Sequence, residues 1–331
     1  MIRASAPLRI CDNGGWTDTW FGSPGRVFNV AVRPGVEVTI REISGPETVV
    51  LDVRDFGDRY AMVPGAPRAG RHPLLEAAVD RVPPPPGFGV ELSVHSAVPA
   101  GSGTGTSAAV AVAVLGALSA LCSRQMSKQE IAAAAHRLEV DVLGGESGVQ
   151  DQLCSAFGGI NYIEIEHYPV ASVRSLPVWA ELSRLVSVVF LGRAHDSTAV
   201  HRQVIEDAGR TGPSTFARLR DAAEAARDAV LARDLDALGQ SMIANTQAQS
   251  ALHRDLVGDD ARMVIEAAAA QGVVGWKVNG AGGNGGSVTF LSRTEEERTA
   301  LERKLEQLDP RYRVLPVSIS AAGLEIEEFD G

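Results

Sequence analysis

The fold of this chain is decided by the stretch Pro99-Ala-Gly-Ser-Gly-Thr-Gly-Thr-Ser107, which runs directly into the apolar segment Ala108 to Leu121. Its glycines alternate with small residues, and glycine adopts a positive φ and lets the backbone come close to a ligand. A helix that starts here adds unpaired N–H groups and the positive end of its dipole, which together bind phosphate. The stretch therefore predicts a cradle for a nucleotide triphosphate. The alternative is a glycine-rich turn that caps a buried helix, and the Walker A pattern G-x-x-x-x-G-K-[ST] occurs nowhere in the chain.

A second glycine-rich segment, Lys277-Val-Asn-Gly-Ala-Gly-Gly-Asn-Gly-Gly-Ser287, lies far along the chain. Gly280, Gly282 and Gly285 fit the spacing G-x-G-x-x-G, but a dinucleotide site needs a helix to follow. The residues that do follow, Ser287 to Ser292, have the composition of a strand. This context argues against a dinucleotide-binding fold. A glycine loop between two strands indicates a backbone that packs against a ligand or another loop.

Strand and helix patterns alternate along the rest of the chain. Arg26 to Glu42 is predicted as a pair of strands broken at Pro34-Gly35, and Tyr312 to Ser318 as the final strand. Ser127-Lys-Gln-Glu130 is a capping box that opens a helix ending at Gly144-Gly145. Longer helical patterns follow in the second half: Ser214 to Arg233, Leu235 to Leu252, Asp259 to Gln271 and Glu295 to Leu308.

The composition is that of a globular enzyme. A length of 331 residues suits two domains, and 45% hydrophobic and 22% charged residues are globular values. The net charge of −10 argues against nonspecific nucleic-acid binding. Neither a signal peptide nor a bilayer-spanning segment is expected, and the three cysteines lack C-x-x-C spacing. We expect a cytoplasmic monomer or homodimer with a small-molecule partner and with no nucleic-acid or membrane partner.

The two glycine-rich segments, together with Ala6-Pro-Leu-Arg-Ile-Cys-Asp-Asn-Gly-Gly-Trp-Thr-Asp18, resemble the three motifs of the GHMP kinases, in the same order. The resemblance extends from about Arg3 to Gly286. The phosphate loop of that family usually reads P-x-G-x-G-L-G-S-S-A, and here Thr104 replaces the leucine and Thr106 the first serine. The resemblance implies an α+β fold with two domains and an active site in the cleft between them. The first, residues 1–165, would be similar to ribosomal protein S5 domain 2, and the second, residues 166–331, would be ferredoxin-like.

The resemblance also implies ATP and Mg²⁺ as cofactors. In the first domain, the nucleotide would be held mainly by backbone N–H groups of the phosphate loop: Pro99, Gly101, Ser102, Gly103, Thr104, Gly105, Thr106 and Ser107. Mg²⁺ would be held by Ser107 and Glu139. The glycine loop 280–286 of the second domain would pack beside Pro99 to Ser107.

Three charged residues are predicted to act on the transferred group. Glu139 and Asp151 lie twelve residues apart, and the glycines between them let the chain reverse and bring both carboxylates to one site. By resemblance, Asp151 orients or deprotonates the acceptor hydroxyl. Arg9 lies between two apolar residues of the first strand, where a charge is costly unless paired. By resemblance to galactokinase-like members, it would contact Asp151 and the developing charge. The alternatives are a solvated helix position for Glu139, an N-cap for Asp151 and an exposed strand face for Arg9.

The acceptor is predicted to bind the segment Gly14-Gly-Trp-Thr-Asp18 and the second glycine loop. The segment is similar to that of the sugar-1-kinase branch of the family, which includes fucokinase and D-glycero-D-manno-heptose 7-phosphate kinase. Homoserine and mevalonate kinases rank lower because they lack it. Trp16 could equally stack on a sugar or belong to the core. The predicted substrate-binding residues are Gly15, Trp16, Thr17, Asp18, Gly280, Gly282 and Gly283.

The resemblance implies ATP-dependent phosphorylation of a sugar or sugar phosphate, with the anomeric O1 of a heptose 7-phosphate or a related hexose favoured. The alternatives are a fucokinase- or galactokinase-like kinase of a free sugar, a silent sugar sensor, and an enzyme of a non-sugar such as an isoprenoid precursor. A polar cluster could bind a distal phosphate or simply start a helix, and it comprises Arg193, His195, Asp196, Ser197, His201 and Arg202.

Overall fold

The structure is a computed structural model, and it describes residues 1–44, 47–194, 204–206 and 213–329. It is an α+β protein with two sheets. The polar cluster predicted around His195, Asp196, Ser197, His201 and Arg202 lies outside the described residues, although Arg193 lies within them. Among the helices that the structure describes, none is both long enough and apolar enough to cross a membrane.

Both strands and helices are distributed along the whole of the described chain. The strands are β1 Ile2–Asn13, β2 Gly25–Ile43, β3 Val49–Val53, β4 Asp58–Met62, β5 Gly89–Ser96, β6 Ile160–His167, β7 Val170–Leu176, β8 Val186–Phe190, β9 Gly275–Val278, β10 Ser287–Leu291, β11 Arg313–Leu315, β12 Ser318–Ile319 and β13 Glu325–Glu328. The helices are α1 Pro73–Arg81, α2 Thr106–Leu121, α3 Lys128–Arg137, α4 Gln150–Phe157, α5 Leu182–Leu185, α6 Pro213–Ala232, α7 Leu235–Leu252, α8 Asp259–Ala269 and α9 Glu295–Leu308.

The larger sheet has nine strands, in the order β13-β1-β2-β5-β3-β4, with β12 and β6 also paired to β2, and β7 paired to β6. The smaller sheet has the order β11-β8-β10-β9. Alanine-rich α2 packs on the larger sheet and is buried along most of its length, with Val112, Leu115 and Leu118 in the core. This helix therefore begins at a fixed place beside β1, which positions the phosphate loop.

The prediction of a strand pair broken at Pro34-Gly35 is wrong, because β2 is one strand of 19 residues. Its first part pairs with β6 and its second part with β5. At Gly35 the strand lies so close to β1 that an added Cβ would be 2.1 Å from the carbonyl oxygen of Ala6. The pairing with β1 shifts register between Ala6 and Leu8 at this point. The chain is thus displaced locally but does not turn back.

The capping box at Ser127 is confirmed, with both reciprocal hydrogen bonds present. The predicted final strand, Tyr312 to Ser318, is wrong in two respects. It consists of β11 and β12, which belong to different sheets, and β13 follows and pairs with β1. The predicted division of the chain at residue 165 falls inside β6 and stays a prediction, and β7, β12 and β13 join the larger sheet.

Candidate active site

A cleft of about 530 Å³ brings together residues from all three motifs. It is lined by Arg9, Asp12, Trp16, Asp18, Thr19, Gly101, Gly103, Gly105, Thr106, Ser107, Ala108, Glu139, Leu143, Gly145, Glu146, Ser147, Gly148, Gln150, Asp151, Gly280 and Ala281. The two glycine loops meet here, because a Cβ added to Gly280 would lie 2.9 Å from the carbonyl oxygen of Gly103. The predicted packing of these loops, which are distant in sequence, is therefore confirmed.

The phosphate loop has the backbone that its glycines predict. Gly101, Gly103 and Gly105 have φ values of 72°, 75° and 72°, which favour glycine. Gly105 is the N-cap of α2 and no side chain caps this helix, so its first N–H groups have no intrahelical acceptor. Thr106 and Ser107 at the helix start line the cleft. An uncapped helix N-terminus behind a glycine loop fits the phosphates of ATP.

Three predicted nucleotide-binding residues do not line the cleft, namely Pro99, Ser102 and Thr104. The hydroxyls of Ser102 and Thr104 are buried and bond to each other at 2.7 Å, so they shape the loop from behind. The carbonyl oxygen of Thr104 accepts a 2.9 Å hydrogen bond from the backbone N–H of Arg9. The loop is thus attached to β1 through its backbone.

Arg9 and Asp151 form a bidentate ion pair at the centre of the cleft. Arg9 Nε donates to Asp151 Oδ1 at 2.7 Å and Arg9 Nη2 to Oδ2 at 3.0 Å, while Nη1 donates to the carbonyl oxygen of Gly103. Burial alone would lower the pKa of Arg9, but the charges of Asp151 and Asp12 outweigh it and raise the pKa. Arg9 is buried, which excludes the alternative that its side chain lies on an exposed face of the strand. Asp151 lies in the first turn of α4, whose N-cap is Val149, so it is neither in a loop nor a cap.

Glu139 and Ser107 form the second polar pair. Ser107 Oγ donates to Glu139 Oε1 at 2.7 Å, and Glu139 Oε2 accepts from Ser147 and Gln152. Glu139 lies in a π-helical turn, Leu138–Val142, that continues α3. Burial raises its pKa, against the hydrogen bond from Ser107. These contacts in the cleft argue against a merely solvated helix position.

The side-chain oxygen atoms of this pair are suitable ligands for Mg²⁺, which is usually bound by one or two carboxylates together with phosphates and waters. Within the described ranges, no group of three or more His, Cys, Asp or Glu side chains could hold a metal by itself. A metal at Ser107 and Glu139 would therefore depend on phosphate oxygens for most of its ligands.

Asp18 lies at the other end of the cleft and is buried. Its Oδ2 accepts a 3.1 Å hydrogen bond from the backbone N–H of Gln150. Burial raises the pKa of Asp18 to about 6, and the charge of Asp151 adds to the rise. Trp16 is both core and cleft wall, since it packs near Phe21 with 6.3 Å between ring centroids and also lines the cleft.

The other predicted substrate residues fare differently. Gly280 lines the cleft, whereas Gly15, Thr17, Gly282 and Gly283 do not. Thr17 Oγ1 donates to the carbonyl oxygen of Gly14 at 2.6 Å, which stabilises the segment. Gly282 packs against Leu256, whose carbonyl oxygen would lie 2.0 Å from an added Cβ. The backbone at these positions supports the cleft from behind.

Sequence reasoning missed the buried pair of Asp12 and Lys277. Lys277 Nζ lies 3.3 Å from Asp12 Oδ1, and both side chains are almost wholly buried. The carboxylate of Asp12 also accepts from the N–H of Gly280 at 3.0 and 3.1 Å. A shift of register between Ile10 and Asn13, with φ of 53° at Cys11, brings Asp12 to the cleft. The available signal was a second charge in the same strand as Arg9.

Comparison with known proteins identifies the family of the chain. Residues 73–159 match the family GHMP kinases N terminal domain. The chain is 30% identical over 353 residues to a mevalonate kinase of Pyrococcus abyssi (strain GE5 / Orsay), covering 99% of this chain and 98% of that protein. It is 22% identical over 322 residues to the D-glycero-alpha-D-manno-heptose 7-phosphate kinase of Campylobacter jejuni, covering 92% and 94%. The crystal structure of a D-glycero-D-manno-heptose 1-phosphate kinase from Bacteriodes thetaiotaomicron is similar over 100% of both chains, with a TM-score of 0.80 and 21% identity.

A sequence identity of 30% over almost the whole of both chains assigns this chain to the family of that relative. The assignment carries with it the transfer of a phosphoryl group to an alcohol acceptor. ATP is the phosphoryl donor in this family, generally with Mg²⁺. By sequence and by fold, the chain belongs to the GHMP kinases.

Proposed function

We propose that this kinase transfers the γ-phosphoryl group of ATP to a sugar hydroxyl, with the anomeric O1 of a heptose 7-phosphate or a related hexose as the favoured acceptor. The observation that carries the proposal is Asp18. Its carboxylate is buried at the cleft wall, interacts with the charges of both Asp151 and Arg9, and forms no ion pair among the described residues. A buried carboxylate in a cleft suits an acceptor that donates hydrogen bonds from adjacent hydroxyl groups.

In this proposal Asp151 receives or orients the proton of the acceptor hydroxyl. Arg9 holds both oxygens of Asp151 in place and keeps a positive charge beside the group being transferred. Phosphoryl transfer proceeds through a loose transition state, so positioning and charge are what the protein has to supply. The N–H groups at the start of α2 bind the phosphates, and Mg²⁺ at Ser107 and Glu139 would neutralise part of their charge.

A second candidate is an alcohol of the mevalonate type. The 30% identity to a mevalonate kinase over 99% of the chain favours it, whereas the polar segment Gly14 to Asp18 favours a sugar. A silent sensor is less favoured because Arg9, Glu139 and Asp151 are all present and in contact with partners.

The proposal is tested by ATP consumption over free and phosphorylated hexoses and heptoses, with mevalonate in the same panel and NMR of each product. We expect turnover with a sugar and a new phosphate on its anomeric carbon. Asp151→Asn serves as the control for contaminating kinases. Turnover with mevalonate alone would replace the first candidate by the second.

A further inference from the structure

We propose that Asp12 and Gln150 form a hydroxyl-binding subsite for the acceptor, beside Asp18. The inference rests on the proposed function, a kinase of a hydroxyl-rich acceptor, and names two further residues that would determine its specificity. Both residues line the cleft, although neither belongs to the glycine loops.

The side-chain oxygen of Gln150 has no protein partner in the part of the chain that the structure describes. The residue is only 6% exposed, and its Oε1 is buried without a hydrogen bond among the described residues. Its backbone is in use, since the N–H donates to Asp18 and the carbonyl accepts from Asn29. Leaving a buried polar atom unpaired costs stability. At the wall of a cleft, a ligand that pairs with such an atom recovers that cost.

Asp12 is fixed in place by Lys277 and by the backbone of Gly280. Lys277 Nζ donates to Asp12 and, at 3.2 Å, to Gln249 Oε1. The N–H of Gly280 donates to both carboxylate oxygens of Asp12. The buried ammonium compensates the carboxylate charge. Within the described part of the chain, Oδ1 already accepts from both Lys277 and Gly280, whereas Oδ2 accepts only from Gly280 and keeps lone-pair capacity for a donor in the cleft. This arrangement suits a hydroxyl group.

The side chains of Asp12 and Gln150 both lie close to Gly15. A Cβ added there would lie 3.0 Å from Asp12 Oδ2 and 3.1 Å from Gln150 Nε2. The carboxylate and the amide therefore converge on the same small space, and a side chain at residue 15 would crowd it. An amide that donates beside a carboxylate that accepts matches a hydroxyl, which does both.

The test compares Gln150→Met and Asp12→Asn with the wild type on the best sugar acceptor. We expect each variant to raise the KM for the acceptor about tenfold, while the KM for ATP stays unchanged. Gln150→Met should also leave the melting temperature unchanged or raise it, because it removes an unpaired buried atom. A merely structural role would change the melting temperature and leave the KM for the acceptor alone.

Deoxy analogues of the acceptor identify the hydroxyl. For one analogue, the affinity for the wild type should equal the affinity of the full sugar for Gln150→Met. The affinity of that analogue should not fall further when it is measured with Gln150→Met. Gln129→Met and Asp58→Asn are matched controls, since both residues lie outside the cleft.

The outcomes separate the two proposals. If the wild type phosphorylates a sugar and Gln150→Met leaves the KM for the acceptor unchanged, the subsite is wrong and the proposed function stands. If the wild type phosphorylates no sugar, both are wrong. Asp12→Asn leaves the ammonium of Lys277 buried without its carboxylate, so if that variant fails to fold, Gln150→Met alone decides.

Discussion

The two ends of the cleft differ in the chemical groups that they present to a ligand. The transfer end, which comprises Gly101, Gly103, Gly105, Thr106, Ser107 and Glu139, presents backbone and an exposed hydroxyl to the cleft. The acceptor end, which comprises Asp12, Trp16, Asp18, Gln150 and Gly280, consists mainly of buried side chains held by contacts from distant segments. Arg9 and Asp151 link the two ends, since Arg9 donates to the carbonyl oxygen of Gly103 and the charge of Asp151 acts on Asp18. The two ends also touch directly, where Gly280 packs against Gly103.

This difference explains what each end tolerates. Backbone N–H groups bind phosphate whatever the side chains are, so Thr104 and Thr106 can stand where the family pattern has leucine and serine. At the acceptor end recognition depends on individual polar side chains, so a single change alters which hydroxyl can bind. Changes at the two ends should therefore have separable effects.

The largest expected effect is at the junction of the two ends. Asp151→Asn keeps the shape of the side chain and removes its charge, so kcat should fall by ~10²-fold or more. ATP binding should persist, because no backbone group of the phosphate loop is changed. Steady-state kinetics together with calorimetry of ATP binding measure this. Turnover near that of the wild type would refute the role of Asp151.

Arg9→Ala should also lower kcat, because the variant loses a charge beside the transferred group and both hydrogen bonds that orient Asp151. Residues that act as one unit fail together, so the double variant with Asp151→Asn should be about as slow as the slower single variant. The four rate constants form a double-mutant cycle. Additive losses would mean that the two residues act independently.

At the transfer end, Glu139→Gln should raise the Mg²⁺ concentration for half-maximal activity by about tenfold, because a carboxylate ligand is lost. The KM for the acceptor should not change. A Mg²⁺ titration at saturating ATP measures the effect, and an unchanged requirement would exclude Glu139 as a metal ligand.

The smallest effect concerns pH at the acceptor end. The pKa of Asp18 is raised by burial from 3.8 to about 6, so the KM for the acceptor should rise as pH falls below about 6. Between pH 3.8 and about 6, Asp18 binds a proton more often in the folded protein than in the unfolded chain. The contribution of Asp18 to the free energy of unfolding therefore falls as pH rises through this range. Above pH 6, Asp18→Asn should therefore be more stable than the wild type in thermal melts. A KM independent of pH in the wild type would contradict an ionised Asp18 in binding.

The sequence predicted the transfer end more completely than the acceptor end. The phosphate loop and the capping box are local patterns, because their backbone conformation depends on residues that are close in sequence. The cost of a charge in an apolar strand predicted that Arg9 is paired, and the family resemblance supplied Asp151 as its partner.

Other features depend on contacts that no local pattern contains. Asp12 reaches the cleft only because β1 is irregular at Cys11, and its partner Lys277 is remote in sequence. β13 has four residues and is exposed along its length, so its short Glu-Ile-Glu alternation is only a weak signal for a strand. β2 continues through Pro34-Gly35 because β1 pairs along both of its parts.

The most direct test of a cleft with two separable ends is a crossed measurement of binding constants. Gly105→Val places a side chain at a φ of 72° in the phosphate loop, and Asp18→Asn removes the buried carboxylate of the acceptor end. Dissociation constants are used because a Cβ on Gly105 would also lie 3.1 Å from the carboxylate of Asp151 and so affect turnover. We expect Gly105→Val to weaken ATP alone and Asp18→Asn to weaken the sugar acceptor alone. If either variant weakened both ligands equally, or if Asp18→Asn left the acceptor unaffected, this account of the cleft would be wrong.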